Sequence, residues 1–123
     1  MSVITVPLQN TKKQESITIY DIACDYLKLK GYKILEKNYK NQLGKIDIIV
    51  QEKKTKRIVF VVVKLRKSLN YAYARELLTP QKLFNLKQTA SLYLMLKKKM
   101  YEFIRIDAIE IMGNEITHLV AIQ

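Results

Sequence analysis

The sequence predicts an α+β domain, an α/β sandwich in which helices flank a central mixed sheet. Two stretches, residues 16–30 and 79–100, carry apolar residues at the three-and-four spacing that is typical of amphipathic helices. Five other stretches alternate apolar with polar residues or form β-branched runs, as strands do: residues 32–39, 45–51, 57–65, 102–111 and 115–122. The resulting order, α-β-β-β-α-β-β, is typical of helices packed against a sheet.

Turn and cap residues set the boundaries of these elements. Gly31 ends the first helix, and Thr79-Pro80 places a capping hydroxyl and a proline where the second helix begins. Residues 1–15 are polar and interrupted by Pro7. We therefore expect a flexible N-terminal leader, followed by a single domain over residues 16–123.

The charge balance favours a polyanionic partner. The 123 residues include 22 Lys and Arg against 11 Asp and Glu, which gives a formal net charge of +11. Nucleic acid is the expected partner of a small domain this basic, with a membrane surface as the second choice. A general enrichment in lysine would also account for part of the excess.

Cysteine content and hydropathy indicate the cell compartment in which the protein is expected. The single cysteine, Cys24, excludes an internal disulfide and a cysteine-based zinc site, and we expect it to be a small buried residue of the first helix. The chain has no apolar run of transmembrane length, and its first residues lack the basic-then-apolar order of a signal peptide. We expect a cytoplasmic protein without a membrane partner.

A hairpin over residues 44–67 carries the chemistry. Its strands are strongly apolar, yet the first contains Asp47 and the second ends in Lys64. Buried strands rarely tolerate a charge, because an unpaired ion is costly in an apolar interior. Period-two geometry places Val62 and Lys64 on one face. If Asp47 shares that face, the hairpin presents a carboxylate and an ammonium together; a buried Asp47–Lys64 ion pair without chemistry is the alternative.

An aspartate followed on the next strand by Glu-x-Lys is a familiar phosphodiesterase pattern, in which two carboxylates hold Mg²⁺ and the lysine orients water. With this pattern in mind, the chain resembles the YraN family of predicted endonucleases, in the PD-(D/E)xK nuclease superfamily. The segments that carry the resemblance are AxxYL (23–27), GYKILEKNYK (31–40), GKID (44–47), VFVVVKLR (59–66), ELLTPQK (76–82), IRIDAIEI (104–111) and ITHLVAI (116–122).

The resemblance implies a restriction-endonuclease-like core and metal-dependent cleavage of DNA, including branched or single-stranded forms. It assigns catalytic roles to Asp47 and Lys64, with Asp47 also a ligand of Mg²⁺ or Mn²⁺. Members of this superfamily often dimerise, so the resemblance also allows a homodimer.

Several acids of the family pattern are replaced. Lys45 stands where the family has the glutamate of GEID, and Val62 stands where it has the glutamate of Glu-x-Lys. The Gly-Glu pair of the first helix falls at Ile19 and Tyr20. Loss of metal-site residues weakens binding or activity strongly, so we expect weak or lost cleavage. Lys45 is expected one position off the face of the site.

A working metal site would need a replacement acid, and the candidates are Asp21, Glu76 and Asp107. Asp107 stands alone in an apolar strand, where a hydrogen-bonded structural role is favoured over a ligand role. The lone His118 has no second histidine or cysteine nearby, so a core or surface role is favoured over metal binding.

Binding is better supported than cleavage. Basic residues flank the expected site and are candidates for contacts with phosphates: Lys37, Lys40, Lys45, Arg66, Lys67, Arg75 and Lys82. The start of the second helix, at Thr79–Lys82, is a plausible seat for a phosphate. Tyrosines at positions 71, 73, 93 and 101 would stack on bases or serve in packing. The competing hypothesis is a non-catalytic module that binds DNA or a protein on a nuclease fold.

Overall fold

Six strands form one mixed sheet in the computed structural model, which describes residues 2–7, 17–66, 78–99 and 103–122. The strands are β1 (Ser2–Pro7), β2 (Tyr32–Asn41), β3 (Gly44–Glu52), β4 (Ile58–Leu65), β5 (Arg105–Met112) and β6 (Glu115–Val120). Their order across the sheet is β1-β6-β5-β4-β3-β2. Neighbouring strands in this sheet are antiparallel except β4 and β5, which are parallel. The predicted α+β class is confirmed, and β2 lies at one edge of the described sheet.

Both predicted helices are present, and the second begins at the expected cap, Thr79. Helix α1 (Ile19–Leu29) starts with a capping box, in which Thr18 and Asp21 each bond the backbone N–H of the other. Helix α2 (Pro80–Leu96) follows Thr79, whose hydroxyl accepts from the Lys82 N–H. Both helices are a few residues shorter than the periodic patterns that predict them.

The helices cover opposite faces of the sheet, because β4 sends alternate side chains into two separate cores. Val59, Val61 and Val63 pack in a cluster with Ala23 and Leu27 of α1. The other face packs against α2, in a cluster that includes Phe60, Ile106, Leu83, Ala90 and Tyr93. Cys24 is buried on the α1 side, and Tyr93 is a packing residue, as expected.

The N-terminus differs from the expected leader. Ser2–Pro7 pairs with β6 along its whole length, with Ser2 opposite Val120 and Pro7 opposite Glu115. Val6 packs against the core on the α1 side. The alternating, β-branched residues 3–6 fit a strand, but the strand they pair with is distant in sequence, so local patterns gave no reason to expect this. Residues 8–16 lie outside the described part.

A buried polar network connects the sheet to α1. Asp107 is fully buried, and its carboxylate accepts from Arg105 Nε and Nη2 at 3.0 and 2.9 Å and from the Ala121 N–H at 2.9 Å. His118 Nε2 lies 2.7 Å from the same carboxylate, and His118 Nδ1 lies 2.9 Å from the Tyr26 hydroxyl. The expectations that Asp107 is a structural acid and that His118 has a core role are confirmed.

The network fixes the position of its hydrogens. A carboxylate only accepts, so His118 Nε2 carries a proton toward Asp107. In the neutral imidazole Nδ1 is then an acceptor, and the Tyr26 hydroxyl donates to it. Burial raises the pKa of Asp107, but the hydrogen bonds from His118 and Arg105 outweigh this, so its pKa lies below the ordinary 3.8.

We predict that Asp107→Asn destabilises the fold by about 3 kcal/mol at pH 7, because it removes the near counter-charge of the Arg105 guanidinium and leaves only the Glu52 carboxylate at 3.9 Å. Since the folded-state pKa of Asp107 is lowered, its contribution is present above pH 3.8 and is lost as the pH falls through the lower folded value. Urea unfolding at pH 7 and pH 3 measures both effects. Asp25→Asn, at an exposed position, is the control. An Asp107→Asn effect as small as the control's would contradict the role of this network.

Candidate functional site

Strands β3 and β4 separate at Asp47. Their described ladder ends with Ile48 opposite Val61, and beyond it the Asp47 carboxylate accepts the Val63 N–H at 2.8 Å. The side-chain alternation of β3 also changes here, because Ile46 packs on the α2 side and Ile48 on the α1 side although they are two residues apart. We call this point, defined by Asp47 and Val63, the β3–β4 fork.

A cavity of about 360 Å³ opens at the fork, and we call it the fork cavity. Its lining comes from β3, β4 and both helices: Tyr20, Gly44, Lys45, Asp47, Val62, Val63, Lys64, Leu78, Lys82, Asn85, Leu86 and Thr89. Asp47, Val62 and Lys64 therefore line one cavity, as the expected geometry requires. The lining charges are three lysines against one carboxylate.

A second cavity, of about 230 Å³, adjoins the first. Tyr20, Lys45 and Asp47 line both cavities, and the smaller one adds Lys37 and Asp21. Asp47 thus lies where the two spaces meet.

Comparison with known proteins assigns the chain to a family. Residues 21–111 match the model described as "Uncharacterised protein family UPF0102". The chain belongs to the UPF0102 family. It is 36% identical over 104 residues to a UPF0102 protein of Syntrophomonas wolfei, covering 81% of this chain and 89% of that one. It is 39% identical over 112 residues to one of Fervidobacterium nodosum, covering 89% and 82%. A Clostridium botulinum (strain Kyoto) member is 43% identical over 95 residues, covering 76% and 75%.

UPF0102 is the YraN family, so the resemblance seen in the sequence is confirmed. The positions to which that resemblance assigns an acid or a lysine are Tyr20, Lys45, Asp47, Val62 and Lys64, and all five line the fork cavity. They come from α1, β3 and β4. This convergence supports the assignment of the fork as the site position of the fold.

Of the predicted basic residues that the structure describes, only some line the fork cavity. Lys45 lines the fork cavity with Asp47, so the expectation that it lies off the site face is wrong; residues two apart in a strand share a face. Lys82 also lines the cavity. Lys40 is exposed on β2, directly opposite Lys45. Predictions for Lys67 and Arg75 lie outside the described residues.

Arg66 is a poor candidate for a phosphate contact, because only 5% of its surface is exposed. It attracts the carboxylate of Glu110, which is equally buried. Burial raises the pKa of Glu110 and the Arg66 charge lowers it, and the net shift is upward. We therefore leave Arg66 out of the proposed interface and assign it a structural role at the end of β4.

The alternative of a buried Asp47–Lys64 ion pair does not match the geometry. Among contacts between described residues, ion pairs within 4.0 Å join Arg105 to Glu52 and to Asp107, and no such pair joins Asp47 to Lys64. Asp47 instead bonds the Val63 backbone. Lys64 is partly exposed and lines the cavity.

The described residues do not fit a divalent metal ion. Asp47 is the one carboxylate on the fork cavity among them, and they contain no group of three His, Cys, Asp or Glu placed to hold a metal. Asp21 lines the smaller cavity, but its carboxylate accepts from the Thr18 N–H at 3.1 Å and lies 3.2 Å from the Thr18 hydroxyl. These bonds lower the pKa of Asp21. Asp107 is committed to the buried network, and Glu76 lies outside the described residues.

Two residues of the site region were missed as functional candidates. Tyr20 is 45% exposed and lines both cavities; its place at the family's glutamate position was the available signal. Glu110 lies on β5 directly opposite Lys64. The sequence around Glu110 gave no reason to connect it with β4, because strand register is not visible in a single sequence.

Gly44 holds the turn that carries Lys45 close to α2. A Cβ at Gly44 would lie 2.7 Å from Thr89 Oγ1, and Asn41 Nδ2 donates to the Thr89 carbonyl at 3.2 Å. The absence of a side chain at Gly44 therefore lets the β2–β3 turn approach the helix, next to Lys45 at the edge of the cavity.

We predict that Gly44→Ala destabilises the protein by about 1–3 kcal/mol, because the methyl group overpacks the contact with Thr89. Adding Thr89→Ala should recover part of the loss by removing the hydroxyl, while the positive φ of residue 44 keeps some strain. Urea unfolding of the single and double variants measures this coupling. Equal stability of Gly44→Ala and the unaltered protein would contradict the close approach.

Proposed function

We propose that this protein binds nucleic acid, with DNA as the expected form, by placing phosphate groups at the fork cavity, and that metal-dependent cleavage is weak or lost. The observation that carries the proposal is the charge of the cavity lining, in which Lys45, Lys64 and Lys82 face a space with one carboxylate, Asp47.

The sign of this charge decides between a cation and an anion. Mg²⁺ and Mn²⁺ need several hard oxygen ligands, usually with two carboxylates between them in this type of site. A lining of net charge +2 repels a divalent cation and attracts a phosphate. Val62, where the family pattern has a glutamate, supplies no ligand and is 5% exposed.

The wider surface supports the same partner. The formal net charge of +11 attracts a polyanion over long distances at low salt. Exposed lysines continue outward from the cavity, with Lys37 on the adjoining cavity and Lys40 beside Lys45. Contacts of this kind bind the backbone and give little sequence preference, which suits branched or single-stranded DNA.

The proposal also concerns the cell compartment and the assembly state. Within the described ranges, no helix is long and apolar enough to cross a membrane. A cytoplasmic location agrees with a nucleic-acid partner. A homodimer, which the family resemblance allows, is not needed for the fork cavity, since one chain supplies the five converging positions.

A module that binds a protein is the second candidate, and one observation favours it. Large apolar side chains are exposed on α2, with Phe84 at 56%, Met95 at 71% and Leu96 at 64%. Exposed apolar groups of this size are common at protein interfaces when they form one patch. On this hypothesis, polar substitutions on α2 would abolish function while the lysine substitutions below would not.

We predict that Lys64→Gln and Lys82→Gln each weaken binding to DNA and lower the slope of log affinity against log salt by about 1, because each removes one phosphate contact. Lys54→Gln is the matched control, since it removes the same charge from the exposed β3–β4 turn, at the opposite end of the hairpin. Fluorescence anisotropy with labelled DNA between 50 and 200 mM salt, the range over which such contacts weaken, measures the slope.

Metal dependence is tested in the same assay. We expect binding to be unchanged by added Mg²⁺ or Mn²⁺ apart from ordinary salt screening, and we expect no nicking of branched or single-stranded DNA. Metal-dependent nicking that disappears in Asp47→Ala would overturn the proposed loss of cleavage. Equal losses in Lys64→Gln and Lys54→Gln would overturn the location of the interface.

A further inference from the structure

We propose that the fork cavity takes the terminal nucleotide of a single-stranded nucleic acid, with the terminal phosphate on the lysines and the base on Tyr20. This inference rests on the proposed function and adds to it the kind of nucleic-acid end that is recognised.

The size of the cavity favours one nucleotide. Its volume of about 360 Å³ lies at the lower end of the range for pockets that enclose small ligands, which is about 300–1,000 Å³. A duplex cannot enter a space of this size, and a continuous strand would have to run across its mouth. The end of a strand can enter with its last sugar, base and phosphate.

The charge of the cavity distinguishes a terminal phosphate from an internal one. Lys45, Lys64 and Lys82 against Asp47 give the lining a net charge of +2. An internal phosphodiester carries one negative charge, whereas a phosphomonoester carries about −1.5 to −2 at pH 7 and has three acceptor oxygens. The phosphomonoester therefore matches both the charge and the number of lysine donors.

The three lysines that line the cavity belong to three different elements. Lys45 comes from the start of β3, Lys64 from the end of β4 and Lys82 from the first turn of α2. Convergence of this kind surrounds a small anion, whereas a row of lysines along one edge would follow a backbone. Val62 and Val63, both nearly buried, make part of the wall apolar, and a less polar wall strengthens the attraction between the charges.

Tyr20 supplies the contact for the base. It is the aromatic residue of the described cavity lining, it lies in the first turn of α1, and 45% of its surface is exposed. Bases stack on exposed aromatic rings without strong sequence preference, because every base has a π-face. The buried Tyr93 packs against Phe60 and Tyr39 and has no such role.

The test compares short oligothymidylates with an internal fluorophore that end in a 5′-phosphate, a 3′-phosphate or hydroxyls at both ends. Anisotropy titrations are done in a chelator, without added metal. We expect one phosphorylated end to bind about tenfold more tightly than the hydroxyl ends, the effect of a charge-assisted hydrogen bond. The two phosphorylated forms show which end enters.

Variants locate the effect. Lys64→Gln should remove the preference for the phosphorylated end, and Tyr20→Leu should weaken binding of that end. Tyr20→Phe and Lys54→Gln should retain the preference and the affinity for the phosphorylated end. A preference that persists in Lys64→Gln would overturn the assignment to the fork cavity. Equal affinities for all ends, with binding that still depends on salt and on Lys82, would overturn the inference and leave the proposed function intact. Absence of any DNA binding would contradict both.

Discussion

The hydrogen bond from the Val63 N–H to the Asp47 carboxylate is the interaction on which the site depends. The carboxylate bonds a strand N–H beyond the last paired residues, Ile48 and Val61, so β3 leaves β4 at this point while the backbone donor remains satisfied. A charge-assisted bond of this kind contributes about 1.5–3 kcal/mol. The fork cavity opens where the strands separate, and Lys45, two residues before Asp47 on β3, lines the same cavity. Asp47 therefore has a structural role that explains why an acid is present at this position without a metal ion.

The chemistry of the cavity follows from what surrounds that acid. The family pattern gathers acids at the positions now held by Tyr20, Lys45 and Val62, and their side chains supply a ring, an ammonium and a methyl-covered wall. The positions to which the family resemblance assigns the site still line one cavity, and its lining charges in the described residues are three lysines against one carboxylate. A phosphate is attracted by this lining, and a divalent cation is not. Binding and cleavage are thus separable in this fold, since the first needs only positive charge and the second needs a set of oxygen ligands.

Local patterns predicted much of the fold, and the limits of the prediction have physical causes. Helix caps at Thr18 and Thr79 depend on neighbouring residues, and the predicted α1 and α2 were confirmed. Pairing of β1 with β6 and the register of Glu110 with Lys64 depend on distant segments, and they were not visible. Period-two alternation placed Val62 and Lys64 on one face but left the position of Asp47 open, because the pairing of β3 with β4 is not visible in a single sequence. The same alternation should have placed Lys45 on the face of Asp47, two residues away, and the expectation for Lys45 missed this. Burial of Arg66 beside Glu110 was missed because a charge in a basic run is ordinarily assigned to the surface.

Asp47→Asn gives the most direct test of whether the fork cavity binds an anion or a metal ion. Asparagine retains an oxygen that can accept the Val63 N–H, so the fork is preserved while one negative charge is removed. DNA affinity measured in a chelator at low salt should rise by about three- to tenfold, since a repulsive charge near the phosphate has been lost. A fall in affinity in the chelator would contradict the account. With Mg²⁺ added instead of the chelator, an affinity that depends on Mg²⁺ before the substitution and not after it would show that Asp47 serves as a metal ligand, and would contradict it as well.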